Sequence, residues 1–216
     1  MEEKIGLGGS GLILAGGLST RMGTDKAALA ISGKPLLVRL AEGMAEEGLR
    51  PIAVSVADEE REAVYRALLQ DSPAARHVHY VRDAYPGSGP LAGLHAGLSS
   101  LPSGYTFVLA CDMPVLSESL LRRMEAEVAR RERSGEAGPD VVLAPGQPFH
   151  ALYHTRVAAR IEQVLIAGDF RVMKMLGDLE TLEVGIADEE TAAFLNLNTP
   201  EAFGAYVAQF ENGRRA

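Results

Sequence analysis

"GLILAGGLSTRMGTDKAALAISGKPLL", residues 11–37, runs from an apolar strand through a glycine-rich turn to two cations, Arg21 and Lys26. The opening "GLILA" (11–15) reads as a strand buried on both faces, because it shows no polar alternation. The turn after it needs residues that tolerate unusual backbone angles. Gly16 and Gly17 supply them: each can take a positive φ and lets a ligand approach the main chain. Exposed N–H groups in such a turn, with a helix N-terminus close by, make an anion site. Arg21 offers a planar fork to phosphate oxygens and Lys26 a compact point charge. A plain strand–turn–helix corner with two solvated cations has the same local composition. The stretch also departs from the standard phosphate motifs. The spacing from Gly17 to Lys26 does not match a Walker loop, and Ala27 follows the lysine. A literal G-x-G-x-x-G at Gly6, Gly8 and Gly11 precedes the first strand instead of following one, so it lacks the context of a dinucleotide fingerprint.

Outward from this stretch, apolar runs alternate with helical patterns. Further strands are predicted at "PIAVSVA" (51–57), "HVHYV" (77–81), "YTFVLAC" (105–111), "VVLA" (141–144) and "HALYHT" (150–155). Helices are predicted after Pro35, where Leu37, Leu40, Ala41, Met44 and Ala45 follow the helical period, and at 59–70 and 91–101. Others run from an N-cap at Ser117 to about Arg133, and over 156–167 and 200–210. This alternation predicts an α/β fold of three layers, α/β/α and Rossmann-like, around a mostly parallel sheet. "RSGEAGPD" (133–140) is the one linker-like stretch inside the chain, and no repeat is visible. The expectation is a single domain over 11–210 behind a flexible lead-in, 1–10. Ligands of such sheets bind outside the carboxyl ends of the strands, at a topological switch point. Functional residues are therefore expected just after residues 15, 57, 81 and 111.

The composition is that of a globular domain: 216 residues, 47% hydrophobic and 23% charged. A net charge of −8 excludes the overall basic footprint of a nucleic-acid binder but leaves room for a local cationic site. No apolar run approaches the roughly 18 residues of a membrane helix, and the acidic, glycine-rich start does not read as a signal peptide. Cys111 is the single cysteine, which suits a reducing cytoplasm.

Three further stretches could carry chemistry. In "VRDAYPGSGPLAGLHAGL" (81–98), Asp83 ends a strand and a Gly/Pro loop leads to a helix carrying Gly93; this is a ligand-facing loop or an ordinary surface turn. In "VLACDMP" (108–114), Asp112 stands at a strand's carboxyl edge, where a carboxylate suits Mg²⁺ or caps a helix. Cys111 beside it reads as a small core residue. In "FLNLNTP" (194–200), Asn196, Asn198 and Thr199 are expected to end a strand, with Thr199 or Asn198 capping a helix opened by Pro200. His150 and His154 are four apart, but Ala151 stands where a zincin motif has glutamate; they read as packed residues on one strand face. His77 and His79 read the same way.

In this order, "LILAGGLSTRMGTDKAALAISGKPLL", "RDAYPGSGPLAGLHAGL", "ACDMP" and "NLNTP" resemble the molybdenum cofactor guanylyltransferases, nucleotidyltransferases of the nucleotide-sugar pyrophosphorylase-like superfamily. The matching segments run from residue 12 to about 203, and L-A-G-G-x-x-x-R-M-G-x-D-K is the most specific of them. "GDFRVMKML" (168–176) also looks like the corresponding family stretch. The resemblance implies that Leu14, Ala15, Gly16 and Gly17 hold the nucleotide through the backbone, with Arg21 and Lys26 on its phosphates. It makes Asp83 a nucleotide contact and Asp112 the magnesium ligand, with Arg21, Lys26 and Asp112 as the catalytic set. The family's asparagine near the end of the second strand is not carried over: Ala57 stands there, with Ser55 and Asp58 close by.

The implied reaction is attack by the terminal phosphate of molybdopterin, or its molybdenum form, on the α-phosphorus of GTP. Pyrophosphate leaves and the guanine dinucleotide cofactor forms. The N-terminal half would bind nucleotide and the C-terminal half, roughly 140–200, the pterin. Proteins that donate molybdopterin or receive the product are the expected partners, with neither nucleic acid nor membrane. A cytidylyltransferase relative using CTP usually reads L-A-A-G in the opening motif, and Gly16 favours guanine. A sugar-phosphate nucleotidyltransferase shares the fold. A non-catalytic nucleotide-binding adaptor in cofactor delivery is opposed by the retained Arg21, Lys26, Asp83 and Asp112.

Overall fold

In the computed structural model, which describes residues 9–16 and 25–213, the apolar runs lie side by side in one sheet. In chain order the strands are β1 (Ser10–Leu14), β2 (Ala30–Ile31), β3 (Lys34–Pro35), β4 (Ile52–Val56), β5 (Val78–Arg82), β6 (Tyr105–Ala110), β7 (Val141–Leu143), β8 (His150–His154) and β9 (Thr181–Glu183). The helices are α1 (Leu36–Glu46), α2 (Glu59–Leu69), α3 (Pro90–Ser100), α4 (Glu118–Arg133), α5 (Val157–Ile166), α6 (Val172–Gly177) and α7 (Pro200–Gly213). The seven-stranded sheet has the order β5-β4-β1-β6-β8-β7-β9, and β8 alone runs against its neighbours.

Helices cover both faces, which is why the central strands carry apolar residues at successive positions. Ile13, Val54 and Leu109 pack with residues of α1, α2 and α4. Leu12, Ala53 and Val108 turn the other way, onto α3, α5 and α6. Leu12 is aligned with both Ala53 and Val108 and is fully buried. Such burial is worth about 1.5–3 kcal/mol for a leucine. The helix α3 lies close over β1 because Gly97 has no side chain: a Cβ there would stand 2.3 Å from Leu12 Cδ1.

The expected caps are present. The Ser117 hydroxyl accepts from the Leu120 N–H at 3.4 Å, and Thr199 Oγ1 accepts from the Ala202 N–H at 3.2 Å, with Pro200 opening α7. Other expectations fail. The stretch before Thr199 is not a strand: a 3₁₀ segment, Asp188–Phe194, leads into chain that joins no sheet. The sheet edge is taken instead by β9, which pairs with β7. Between the opening stretch and α1, β2 and β3 form a small hairpin turning at Ser32 and Gly33, both with positive φ (48° and 78°).

The connections from β1 to β4 and β5 go one way across the sheet, and β6 lies on the other side of β1. The order therefore reverses between β1 and β6, and the carboxyl ends of these strands form the switch point.

Candidate functional site

A cavity of about 650 Å³ opens at that switch point. Its walls come from the ends of β1 (Leu14, Ala15, Gly16), β4 (Ser55, Val56, Ala57) and β6 (Ala110, Cys111, Asp112), and from the loop between β5 and α3. Of the residues expected to act, Leu14, Ala15, Gly16, Lys26, Asp83 and Asp112 all line it. Gly17 and Arg21 lie outside the described residues.

Lys26 opens a one-turn 3₁₀ segment, Lys26–Ala28, capped by Asp25, whose carboxylate accepts from the Ala27 N–H at 3.0 Å. The Lys26 ammonium donates to Asp112 Oδ2 at 3.1 Å and also to Asn198 Oδ1. Asp112 stands two residues past the end of β6, after Cys111, whose N–H donates to the Leu14 carbonyl at 3.0 Å and fixes the two strand ends against each other. Ser117, not Asp112, caps α4. The lysine and aspartate side chains are 19% and 22% exposed, so both reach an entering anion or cation while still holding each other.

The helix expected after Pro35 is present as α1, which starts directly after the hairpin. Two details of the opening stretch differ from the sequence reading. The α-helix that points its N-terminus at the cavity is α3, whose cap Gly89 has φ +68° and whose first residue is Pro90. Gly16 does not take a positive φ, and a Cβ there would meet only ordinary contacts at 3.7 Å. Left-handed backbone occurs instead at Gly87 and Gly89, on the loop after Asp83.

Asp83 and Ser55 add polar atoms to the same wall. Burial raises the pKa of Asp83, and a bond from the Tyr85 N–H opposes the rise. Its Oδ1 is nonetheless buried without a partner among the described residues, as is the Ser55 hydroxyl oxygen. Ser55 thus presents the polar atom on a strand end where Ala57 supplies only backbone and a methyl group, while Asp58 is committed to capping α2. Orphaned buried oxygens are costly in a folded protein, and these two face a space that a polar ligand can fill.

Burial pushes the Cys111 thiol well above its ordinary pKa, which leaves it protonated and a poor nucleophile. The histidines do not converge. His150 is fully buried, edge-on to Phe107 and Phe194, and His154 lies edge-on to Tyr105. His79 bonds to Ser100, and His77 accepts from Arg76. No group of three or more His, Cys, Asp or Glu side chains able to hold a metal occurs among the described residues. Of the aspartates lining the cavity, Asp25 caps the Lys26 turn and Asp83 stands on the loop after β5, while Asp112, beside Lys26, suits a divalent cation that takes its other ligands from phosphate and water.

The sequence reading missed three participants. Asn198 was assigned to capping, yet its amide oxygen is bound to Lys26; the Leu197 N–H, bonded to the Asp112 carbonyl at 2.9 Å, carries it there. Phe149 and Asn196 also line the cavity. Only the alternation of asparagines in "NLN" hinted at this.

Comparison with known proteins places the chain in a family. The family described as the MobA-like NTP transferase domain matches residues 11–182, from β1 into β9. The chain belongs to this family. Among the relatives of this MobA-like chain is the molybdenum cofactor guanylyltransferase of Syntrophotalea carbinolica, 34% identical over 93% of this chain and 91% of the relative. The molybdenum cofactor guanylyltransferase of Vibrio atlanticus is 30% identical over 89% and 92%. The molybdopterin-guanine dinucleotide biosynthesis protein A of Archaeoglobus fulgidus shares the fold with a TM-score of 0.74, at 21% identity over 94% of this chain and 99% of that one. A divalent metal is compatible with a MobA-like domain. No helix among the described residues is long and apolar enough to cross a membrane.

Proposed function

We propose that this protein transfers GMP from GTP to molybdopterin, or to its molybdenum form, releasing pyrophosphate. The observation that carries the reading is the Lys26–Asp112 pair at the mouth of the switch-point cavity. An oxygen of the pterin's terminal phosphate forms a bond to the α-phosphorus, and the bond from that phosphorus to the bridging oxygen of pyrophosphate breaks. The protein has little covalent work to do; it must bring like-charged groups together and hold the leaving group's charge. Lys26, with Arg21 from the same stretch, neutralises the β- and γ-phosphates. The backbone of Leu14, Ala15, Gly16 and Gly17 holds the nucleotide, and Asp83 contacts it. Asp112 would hold Mg²⁺, which supplies charge neutralisation on phosphate oxygens when bound. The pterin enters from the C-terminal half, where Phe149 and Asn196 form the facing wall. The single buried cysteine suits a cytoplasmic enzyme.

Thermal unfolding with Mg²⁺ and each of GTP, CTP, UTP and ATP tests this. A ligand at about 100 times its Kd adds roughly 2.7 kcal/mol of stability, which for a domain of this size is on the order of 5–10 °C. A GTP-selective, magnesium-dependent rise supports the reading. A CTP-selective rise assigns the protein to cytidylyl transfer, and no response to any nucleotide refutes a nucleotidyltransferase site.

A further inference from the structure

Tyr65, on α2, is one of the largest fully buried side chains, and its hydroxyl bonds to two residues that line the cavity, Ala15 and Asp25. It lies 2.9 and 3.0 Å from the two carboxylate oxygens of Asp25 and 3.1 Å from the Ala15 carbonyl. Those two residues flank the glycine-rich sequence 16–24, one just after β1 and the other just before Lys26. All three neighbouring oxygens are acceptors, so the phenol donates its one proton in a three-centre arrangement shared between the Asp25 carboxylate and the Ala15 carbonyl. Burial first, then the Asp25 carboxylate, raises its pKa above the ordinary range and keeps that proton in place. The bond to a carboxylate is charge-assisted and stronger than one to a neutral acceptor. Arg61, one turn earlier on α2, stands 3.7 Å from Asp25 Oδ2. The helix itself is anchored at its start, where Asp58 accepts from the Arg61 N–H at 2.8 Å.

The geometry assigns Tyr65 as a positioning residue for the transfer reaction: its hydroxyl clasps the two ends of the 16–24 segment and, through Asp25, aims Lys26 into the cavity. This rests on the proposed nucleotidyl transfer. Asp25 is both the acceptor for Tyr65 and the cap of the short turn that starts with Lys26. Releasing the carboxylate frees that turn to reorient. The ammonium then no longer meets the triphosphate in the geometry fixed by Asp112 and Asn198. The neighbouring nucleoside wall at Ser55 and Asp83 stands on β4 and the loop after β5, and Ala15 stays tied to it through its own N–H, which donates to the Ser55 carbonyl at 3.2 Å with or without the Tyr65 hydroxyl.

The test compares Tyr65→Phe, which keeps the ring and removes the hydroxyl, with Tyr105→Phe. The latter loses an unrelated hydroxyl bond to the Pro139 carbonyl at 2.7 Å, remote from the cavity. Calorimetric binding of Mg²⁺-GTP and of guanosine is measured on the full chain, alongside unfolding temperature. Tyr65→Phe is expected to weaken GTP binding roughly 10–100-fold, the scale of a displaced binding group, with guanosine binding unchanged and Tyr105→Phe like wild type. Asp25→Ala, at a side chain 25% exposed, should give the same pattern, and the double variant should be no worse than either single one. Asp25→Ala also carries the test by itself if Tyr65→Phe does not fold. Wild-type affinity for GTP in Tyr65→Phe, equal losses for GTP and guanosine, or additive effects of the two substitutions would each overturn the clasp while leaving nucleotidyl transfer intact. Failure of the wild-type protein to bind GTP would overturn both.

Discussion

Lys26 and Asp112 are 86 positions apart and meet at 3.1 Å across the mouth of the cavity, between the end of β6 and the return of the opening stretch. Asp112→Ala removes the cavity carboxylate that holds the Lys26 ammonium. Lys26 keeps Asn198 as a partner, so the fold should persist. Transfer should fall by roughly 10²–10³-fold or more, the loss typical of removing one preorganised charge from a reacting centre. Pyrophosphate release from GTP in the presence of molybdopterin measures it. A near wild-type rate would show that the metal and the transferred phosphate lie elsewhere.

Lys26→Ala separates phosphate recognition from nucleoside recognition. The ammonium faces Asp112 and Asn198, away from Ser55 and Asp83 on the other wall. Affinity for GTP should drop by about tenfold or more, the scale of a charge-assisted contact, while guanosine affinity stays unchanged. Equal losses for both ligands would place the lysine's influence on the nucleoside wall.

Strands buried on both faces were legible because their residues are mostly apolar whichever way they point; β1, β4 and β6 are of this kind, with Ser10, Ser55 and Thr106 as buried polar exceptions. The edge strand β9 was not, since Thr181 and Leu182 are half-buried and Glu183 is exposed. The helix α6 buries only Met175 and Leu176, too little to show a period. In the site, Asp83 and Asp112 could be found because each stands just past a strand, at the carboxyl edge where ligands of such sheets bind. The Asn198–Lys26 contact could not, as it depends on chain closure by α7 and not on any local pattern. Gly16 was correctly placed on the cavity but for the wrong reason: it leaves space there, and the left-handed turns belong to Gly87 and Gly89.

Gly97→Ala tests the packing that positions α3, and with it the Asp83 loop. Its new methyl would meet Leu12, whose side chain is fully buried and has nowhere to move. Overpacking of this sort costs about 1–3 kcal/mol. For a chain of this length that lowers the unfolding temperature by roughly 2–4 °C per kcal/mol. An unchanged unfolding temperature would mean that α3 can lift from β1 without loss.

His150 should make the fold acid-sensitive in a defined window. It is fully buried between Phe107 and Phe194, and neither ring nitrogen has a hydrogen-bond partner among the described residues. Burial pushes its pKa down to about 4 from an ordinary 6.5, with the Glu190 carboxylate opposing part of the shift. Between those values the unfolded chain binds a proton that the folded chain refuses. The contribution of neutral His150 is therefore intact above pH 6.5 and is lost as the pH falls toward 4. The slope approaches about 1.4 kcal/mol per pH unit, so roughly 2 kcal/mol disappears between pH 7 and pH 5. His150→Phe removes the titrating ring and keeps an aromatic group in the same pocket. In urea unfolding at the two pH values, the wild type should lose about 2 kcal/mol more than this variant. Parallel losses in the two proteins would mean that His150 titrates in the folded state as it does in the unfolded chain, and that its burial between the phenylalanines does not keep it neutral.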